Sequence, residues 1–300
     1  MNKVDFVAIM VVDGANPNGD PLGGNIPRAG YDGRGEISDV CLKHKIRKRF
    51  DVMAAKPSDA VLLVGADYGD KRSVTIRDRL DEKVKLHQPS QKKGKEELRP
   101  AEDIASDACA AFRDVRCFGL LLALKDKEKK SESNDSDTEK EQKKGISVGI
   151  TGPVTIQTSK SVENIDVAQI QIVKCISADG NLSDTMGMKY RVDKSAYIIK
   201  GSINARLAEK THMTDEDVEA LKEAIKTMCW DDESAARPAG SMEVKALYWM
   251  THSSKLGSKS SATVQRAVEV APQKEYPYFT ASVNKEKLGD SITVEEWWAD

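Results

Sequence analysis

Lys43, Lys45, Arg47, Lys48 and Arg49 put five positive charges into seven consecutive positions of SDVCLKHKIRKRF (38–50), with Asp39 as the segment's one acid. On a helix Lys43 and Arg47 are i, i+4 neighbours, as are Lys45 and Arg49. Like charges so placed repel by about 0.2–0.5 kcal/mol per pair. Without glutamates to offset them, the run favours an anionic partner over a merely solvated face. A phosphate backbone suits it, because each neutralised phosphate releases counterions. Just upstream lies GANPNGDPLGGNIPRAGYDGRG (14–35). It is too rich in glycine and proline for helix or central strand, and much longer than an ordinary turn. Glycines let backbone N–H groups approach a ligand closely. Asparagines brace or read a flexible chain, and Arg28 adds a planar donor fork for phosphate. Loop and helix together describe a trough for single-stranded nucleic acid.

Other chemistries fit less well. Asn16, Asn18 and Asp20 alternate like the start of a calcium loop, but Pro21 stands where that loop needs glycine, and no glutamate occupies its twelfth position. No Gly-Lys-Ser/Thr closes a phosphate-binding loop, and no G-x-G-x-x-G follows the first strand. The four histidines, His44, His87, His212 and His252, are scattered and form no recognised metal or nucleophile pattern. His44 sits among cations that hold it neutral. No catalytic residue, metal or cofactor is therefore assigned. Arg116-Cys117-Phe118-Gly119 faintly echoes an RNA-binding signature of RRM sheets, although leucines follow where aromatics are expected.

The elements that must position these residues follow from periodicity. Residues 4–12 read as a buried strand stopped by Asp13-Gly14. In the helix at 38–50, Ser38 is a plausible N-cap, and Leu42, Ile46 and Phe50 share one face. Short strands are predicted at 60–65 and 117–124 and a helix at 101–115. Further strands are predicted at 146–157, 168–177, 191–203, 243–251 and 262–270. A helix at 214–228, capped by Thr214, presents Val218, Leu221, Ile225 and Met228 inward. Residues 71–99 hold ten Lys/Arg against five Asp/Glu and read as a basic surface insertion. Residues 125–145, with seven acids, seven bases and no large apolar side chain, read as a disordered charged insertion. This order predicts an α+β fold with a mostly antiparallel sheet. At 39% hydrophobic and 31% charged the 300-residue chain supports a real core, and its net charge of −2 gives no global nucleic-acid signature. Five scattered cysteines without a C-x-x-C pair argue for a reducing, cytoplasmic setting. The apolar N-terminal run is too short to span a membrane.

Six segments in order, NPNGDPLGGNIPR, SDVCLKHKIR, DVRCFG, TGPVTIQTSKSV, TMGMKYRVDKSAYIIKGSINARLA and DDESAAR, resemble the backbone subunit of type I-C CRISPR Cascade complexes, within the RAMP superfamily. The likeness covers about residues 3–270. It implies one domain over 1–300: an RRM-like (ferredoxin-like) palm with a finger insertion near 66–100 and a thumb hairpin near 158–190. Copies would polymerise head to tail along a guide RNA (crRNA), beside other Cascade subunits, and present it to target DNA without cutting. Carried over by motif, Asn18, Asn25, Arg28, Lys43, Lys45 and Arg47 line the RNA groove, with Arg116, Phe118 and Gly119 at the palm surface. Around Thr185, the methionines Met186 and Met188 wedge between bases, and Lys189 and Arg191 meet phosphates. Lys92, Lys93 and Lys95 hold target DNA. The alternative within the superfamily is a repeat-RNA endonuclease, for which His44 is the one histidine inside a candidate RNA-binding element. A structural metal module built on the opening loop is the other rival.

Overall fold

The computed structural model describes residues 1–63, 75–89, 96–124, 145–173 and 186–300. Lys92, Lys93, Lys95, Thr185, Cys175 and all but the last residue of the expected insertion at 125–145 lie outside them.

The chain opens with β1 (Val4–Ala15), then the short β2 (Gly19–Asp20), β3 (Ile26–Pro27) and β4 (Arg34–Ile37), and the helix α1 (Asp39–Val52). A second group holds α2 (Ile76–Val84), β5 (His87–Pro89), β6 (Glu96–Leu98), α3 (Ala101–Ala111), α4 (Arg113–Phe118), β7 (Gly119–Leu124) and β8 (Ile146–Thr151). Next come β9 (Val154–Ile156), β10 (Ser159–Asn164), β11 (Val167–Val173), β12 (Met186–Ile203), α5 (Ala205–Thr211) and α6 (Asp215–Thr227). The chain ends with β13 (Met242–His252), α7 (Ser261–Gln265), β14 (Val268–Pro272), β15 (Phe279–Val283), α8 (Lys285–Leu288) and β16 (Ile292–Trp298).

An eight-stranded sheet runs β16-β13-β1-β12-β10-β4, with β9 and β11 also paired to β12, and every pairing in it is antiparallel. The first nine residues of β1 are all buried because both faces are covered. Phe6, Ala8, Met10 and Val12 face the core made with Leu42, Ile46 and Phe50 of α1 and Leu221 and Ile225 of α6. Val7, Ile9 and Val11 face Val264, Val268, Phe279 and Leu288 of the C-terminal elements. A third core joins α2, α3 and the β7–β8 ribbon through Leu62, Leu80, Ile104, Phe112 and Val148. The helix caps act as their sequences suggest. Ser38 Oγ accepts the Cys41 N–H, and Thr214 and Asp217 form a reciprocal capping box.

Four expectations change. The helix expected at 101–115 breaks at Phe112, whose extended backbone (φ −128) bridges to Ala60 and sends its ring into the third core. The restarted helix α4 runs on to Phe118, so the strand expected at 117–124 begins at Gly119. Residues 60–63 make that single bridge and no strand. Finally, Ser260 caps a short helix at Ser261–Gln265, so the strand expected at 262–270 begins at Val268.

Candidate nucleic-acid interface

The opening loop is held by its own asparagines. Asp20 O accepts the N–H groups of Gly23 (3.1 Å) and Asn25 (2.7 Å), closing a turn in which Gly24 (φ +67) and Asn25 (φ +63) are left-handed. A Cβ on Gly19 would stand 1.9 Å from Asn25 Oδ1 and 3.0 Å from Asn25 O, so a side chain there would push the Asn25 amide out of place. Asn16, 2% exposed, donates from Nδ2 to Asn25 O at 2.7 Å, and its N–H donates to Ala236 O at 2.9 Å. Asn18 Oδ1 accepts the Ser38 N–H at 2.9 Å, docking the loop onto the start of α1. Arg28 meets Asp20 at 3.3 Å, and both side chains stay about two-fifths exposed. Leu22 and Tyr31 stand fully in solvent at the loop tips.

The cations of α1 are compensated after all, one by Asp39 within the helix and the others by aspartates distant in sequence. Lys43 pairs with Asp39 (3.0 Å), Arg47 with Asp114 (3.3 Å) and Arg49 with Asp231 (2.7 Å). Asp232 gathers Lys45, Lys48 and Arg237. Lys45, expected to line an RNA groove, is 2% exposed. Arg116, expected at the palm surface, is 6% exposed and donates from Nε and Nη2 to Asp217 at 2.8 and 2.9 Å. Arg113 bridges Asp59 (2.6 Å) and Asp217 (3.1 Å) in the same buried cluster. Gly119 is likewise buried: at φ +80, a Cβ there would stand 2.2 Å from Ile150 O. The Arg47 guanidinium lies 5.0 Å from the centroid of the Phe118 ring, bringing two of the expected residues together. The sequence signal for this compensation was DDESAAR itself, which supplies Asp231, Asp232 and Arg237.

Protonation follows from these surroundings. Partial burial, then the cations Lys48, Lys45 and Arg47, hold His44 below the ordinary histidine value of 6.5, with Asp232 opposing them. Burial raises Asp114 above the usual aspartate value despite N–H donors from Leu62 and Leu63 and the charge of Arg47. Burial also pushes on Asp217, but the hydrogen bonds from Arg116 and the Thr214 N–H outweigh it, and the carboxyl sits below 3.8. Among the described residues no three His, Cys, Asp or Glu converge as a metal site. Cys41, Cys109, Cys117 and Cys229 are free thiols. No described helix is long and apolar enough to cross a membrane.

Where β12 runs past the end of β1, it continues with β11 as a two-stranded ribbon. Register places Met186 opposite Val173 and Met188 opposite Gln171, on the Tyr190 face. Met186 and Met188 are exposed there rather than packed in a core. Lys189 and Arg191 alternate onto the opposite face, with Arg191 Nη1 3.7 Å from the Cβ position of Gly14 at the loop's entry. The expected wedges and phosphate ligands thus occupy two faces of one ribbon.

A CRISPR-associated protein Cas7 from Haloferax volcanii is 25% identical over 240 residues, covering 77% of this chain and 64% of the relative, so the chain spans less than two thirds of that protein's length. Two solved structures are similar in shape. A chain of a pre-nicking CRISPR RNA-guided surveillance complex has a TM-score of 0.45 at 12% identity, covering 84% of this chain and 78% of the other. A chain of a CRISPR RNA-guided surveillance complex has a TM-score of 0.42 at 15% identity, covering 84% and 70%. The family described as CRISPR-associated protein Cas7 matches residues 2–290, nearly the whole chain, and the protein belongs to it.

Proposed function

We propose that this protein is a non-catalytic, crRNA-binding backbone subunit of a type I-C Cascade. Copies polymerise head to tail along the guide and present it for pairing with target DNA, beside other Cascade subunits. The observation that carries the reading is the family match over residues 2–290. The RRM-like palm is supported by the order β13-β1-β12-β10 within the sheet. Counted along the chain, these are the fourth, first, third and second strands of a ferredoxin-like unit, with α1 and α6 packed on one face. The β11–β12 ribbon is the thumb, and the basic segment near 66–100 is the finger, whose Lys92, Lys93 and Lys95 hold target DNA.

Within this reading the RNA groove runs along the loop and the outer side of α1. Arg28, Arg34 and Lys48 are the most exposed of the α1 and loop cations and Lys43 is partly exposed, whereas Lys45 and Arg116 hold the groove's walls together from inside. The contacts go to backbone and base faces, so binding tolerates any spacer sequence and weakens with salt. The test is co-expression with a guide RNA, followed by nuclease protection and a salt titration. Protected RNA in regularly repeating lengths supports the filament. Unprotected RNA at low salt refutes it, and discrete cleavage of repeat RNA lost in His44→Ala establishes the endonuclease instead.

A further inference from the structure

Trp230 is 60% exposed, in the turn between α6 and β13. Isolated exposed hydrophobics need no explanation, but this ring is built into its position. The Arg49 guanidinium lies 5.3 Å from the ring centroid. That guanidinium is itself fixed, Nε donating to Thr227 Oγ1 (2.9 Å) and Nη1 to Asp231 Oδ2 (2.7 Å). Thr227 Oγ1 in turn donates to Glu223 O (2.8 Å), tying the support into α6. The Trp230 N–H donates to Thr227 O at 2.9 Å, and the next residue, Asp231, is left-handed (φ +59) without being glycine. Such a conformation persists where the surroundings over-determine it, and it marks positions worth a functional reading. Here it turns the chain away directly after the tryptophan. One face of the indole is covered by a pinned cation, while more than half of the side chain stays open to solvent.

We propose that Trp230 is a stacking platform for an unpaired nucleobase at the C-terminal end of the α1 groove, a proposal that rests on the RNA-binding reading above. An open aromatic face beside backbone-neutralising cations is the recurring solution for single strands, because every base has a π-face to stack. The cation is present: Lys48 Nζ reaches Asp231 O at 3.1 Å and its side chain is 40% exposed. The platform is also continuous with the opening loop. In the segment that follows Trp230, the Asp232 carboxylate accepts from Lys45 and Arg237, and Ala236 O accepts the Asn16 backbone N–H. Cys41, whose Sγ lies 3.7 Å from Pro17 O of the loop, precedes Lys48 by two helical turns, about 10 Å along the axis. At about 3.4 Å per stacked nucleotide, a strand lying on the loop reaches the ring within about three nucleotides.

The test uses the full chain and a fluorescein-labelled oligouridylate, chosen because it forms no structure of its own. Binding is followed at low salt by anisotropy for wild type, Trp230→Phe and Trp230→Ala. Loss of a stacking partner weakens Trp230→Ala by about ten-fold, with Trp230→Phe close to wild type. The fluorescence present in wild type and missing from Trp230→Phe isolates Trp230 from the other tryptophans, and RNA should quench it. If Trp230→Ala binds as tightly as wild type and the Trp230 signal does not move, the platform is refuted while RNA binding stands. A loss of self-association in Trp230→Ala at unchanged RNA affinity also refutes it, assigning the ring to a protein contact. Failure of wild type to bind overturns both readings.

Discussion

Replacing Asp232 by alanine removes one carboxylate from three cations, and burial decides what each of them loses. The side chains of Lys48 and Arg237 are 40% and 31% exposed and can return their charges to water at little cost. Lys45 cannot, because its side chain is 2% exposed and sits on the inner side of α1 against the α6–β13 segment. Removing one partner of a buried pair leaves an uncompensated charge and costs about 3–5 kcal/mol. That is a large share of a typical total stability of about 5–15 kcal/mol. Urea unfolding of Asp232→Ala should therefore lose that amount at an unchanged m-value. The double variant Lys45→Met/Asp232→Leu removes both charges and should recover most of the loss, since apolar replacement of a buried pair is often neutral. The same double variant separates structure from binding. If Lys45 is an internal tie, RNA affinity in the double variant stays within about two-fold of wild type, well under the ten-fold that 1.4 kcal/mol represents. A cost below about 1 kcal/mol for Asp232→Ala would refute the buried-pair argument. A stable double variant with RNA binding lost would return Lys45 to the groove.

Gly119→Ala should destabilise by about 2–5 kcal/mol, read by thermal unfolding, because it adds a left-handed penalty to a clash with Ile150 O. Asp217 is held below 3.8 in the fold, so its contribution is complete above that value and is lost as the pH falls through the lower folded one. The cost of Asp217→Asn in urea unfolding should accordingly be full at neutral pH and shrink below pH 3.8. The His44 ring should titrate below 6.5 by NMR, and Lys48→Ala should move it back upward by removing the neighbouring cation that most disfavours its protonation. Met186→Ser/Met188→Ser should leave unfolding within about 0.5 kcal/mol of wild type, as befits exposed side chains, while reducing nuclease protection of the guide.

Local physics was legible in the chain before any coordinates. The Ser38 and Thr214 caps, the Leu42/Ile46/Phe50 stripe and the antiparallel α+β order all follow from spacing along a few residues, and each is found in place. The break at Phe112 was not legible, because alanine-rich sequence favours unbroken helix and the reason for the kink is a bridge to Ala60, fifty-two positions away. The same holds for the site. Sequence located the cationic helix and the glycine-rich loop beside it. Which of the helix charges face outward was decided by Asp114, Asp231 and Asp232, carboxylates placed by tertiary folding. Charge is a property of composition, but its availability depends on pairing and burial, and both are long-range quantities.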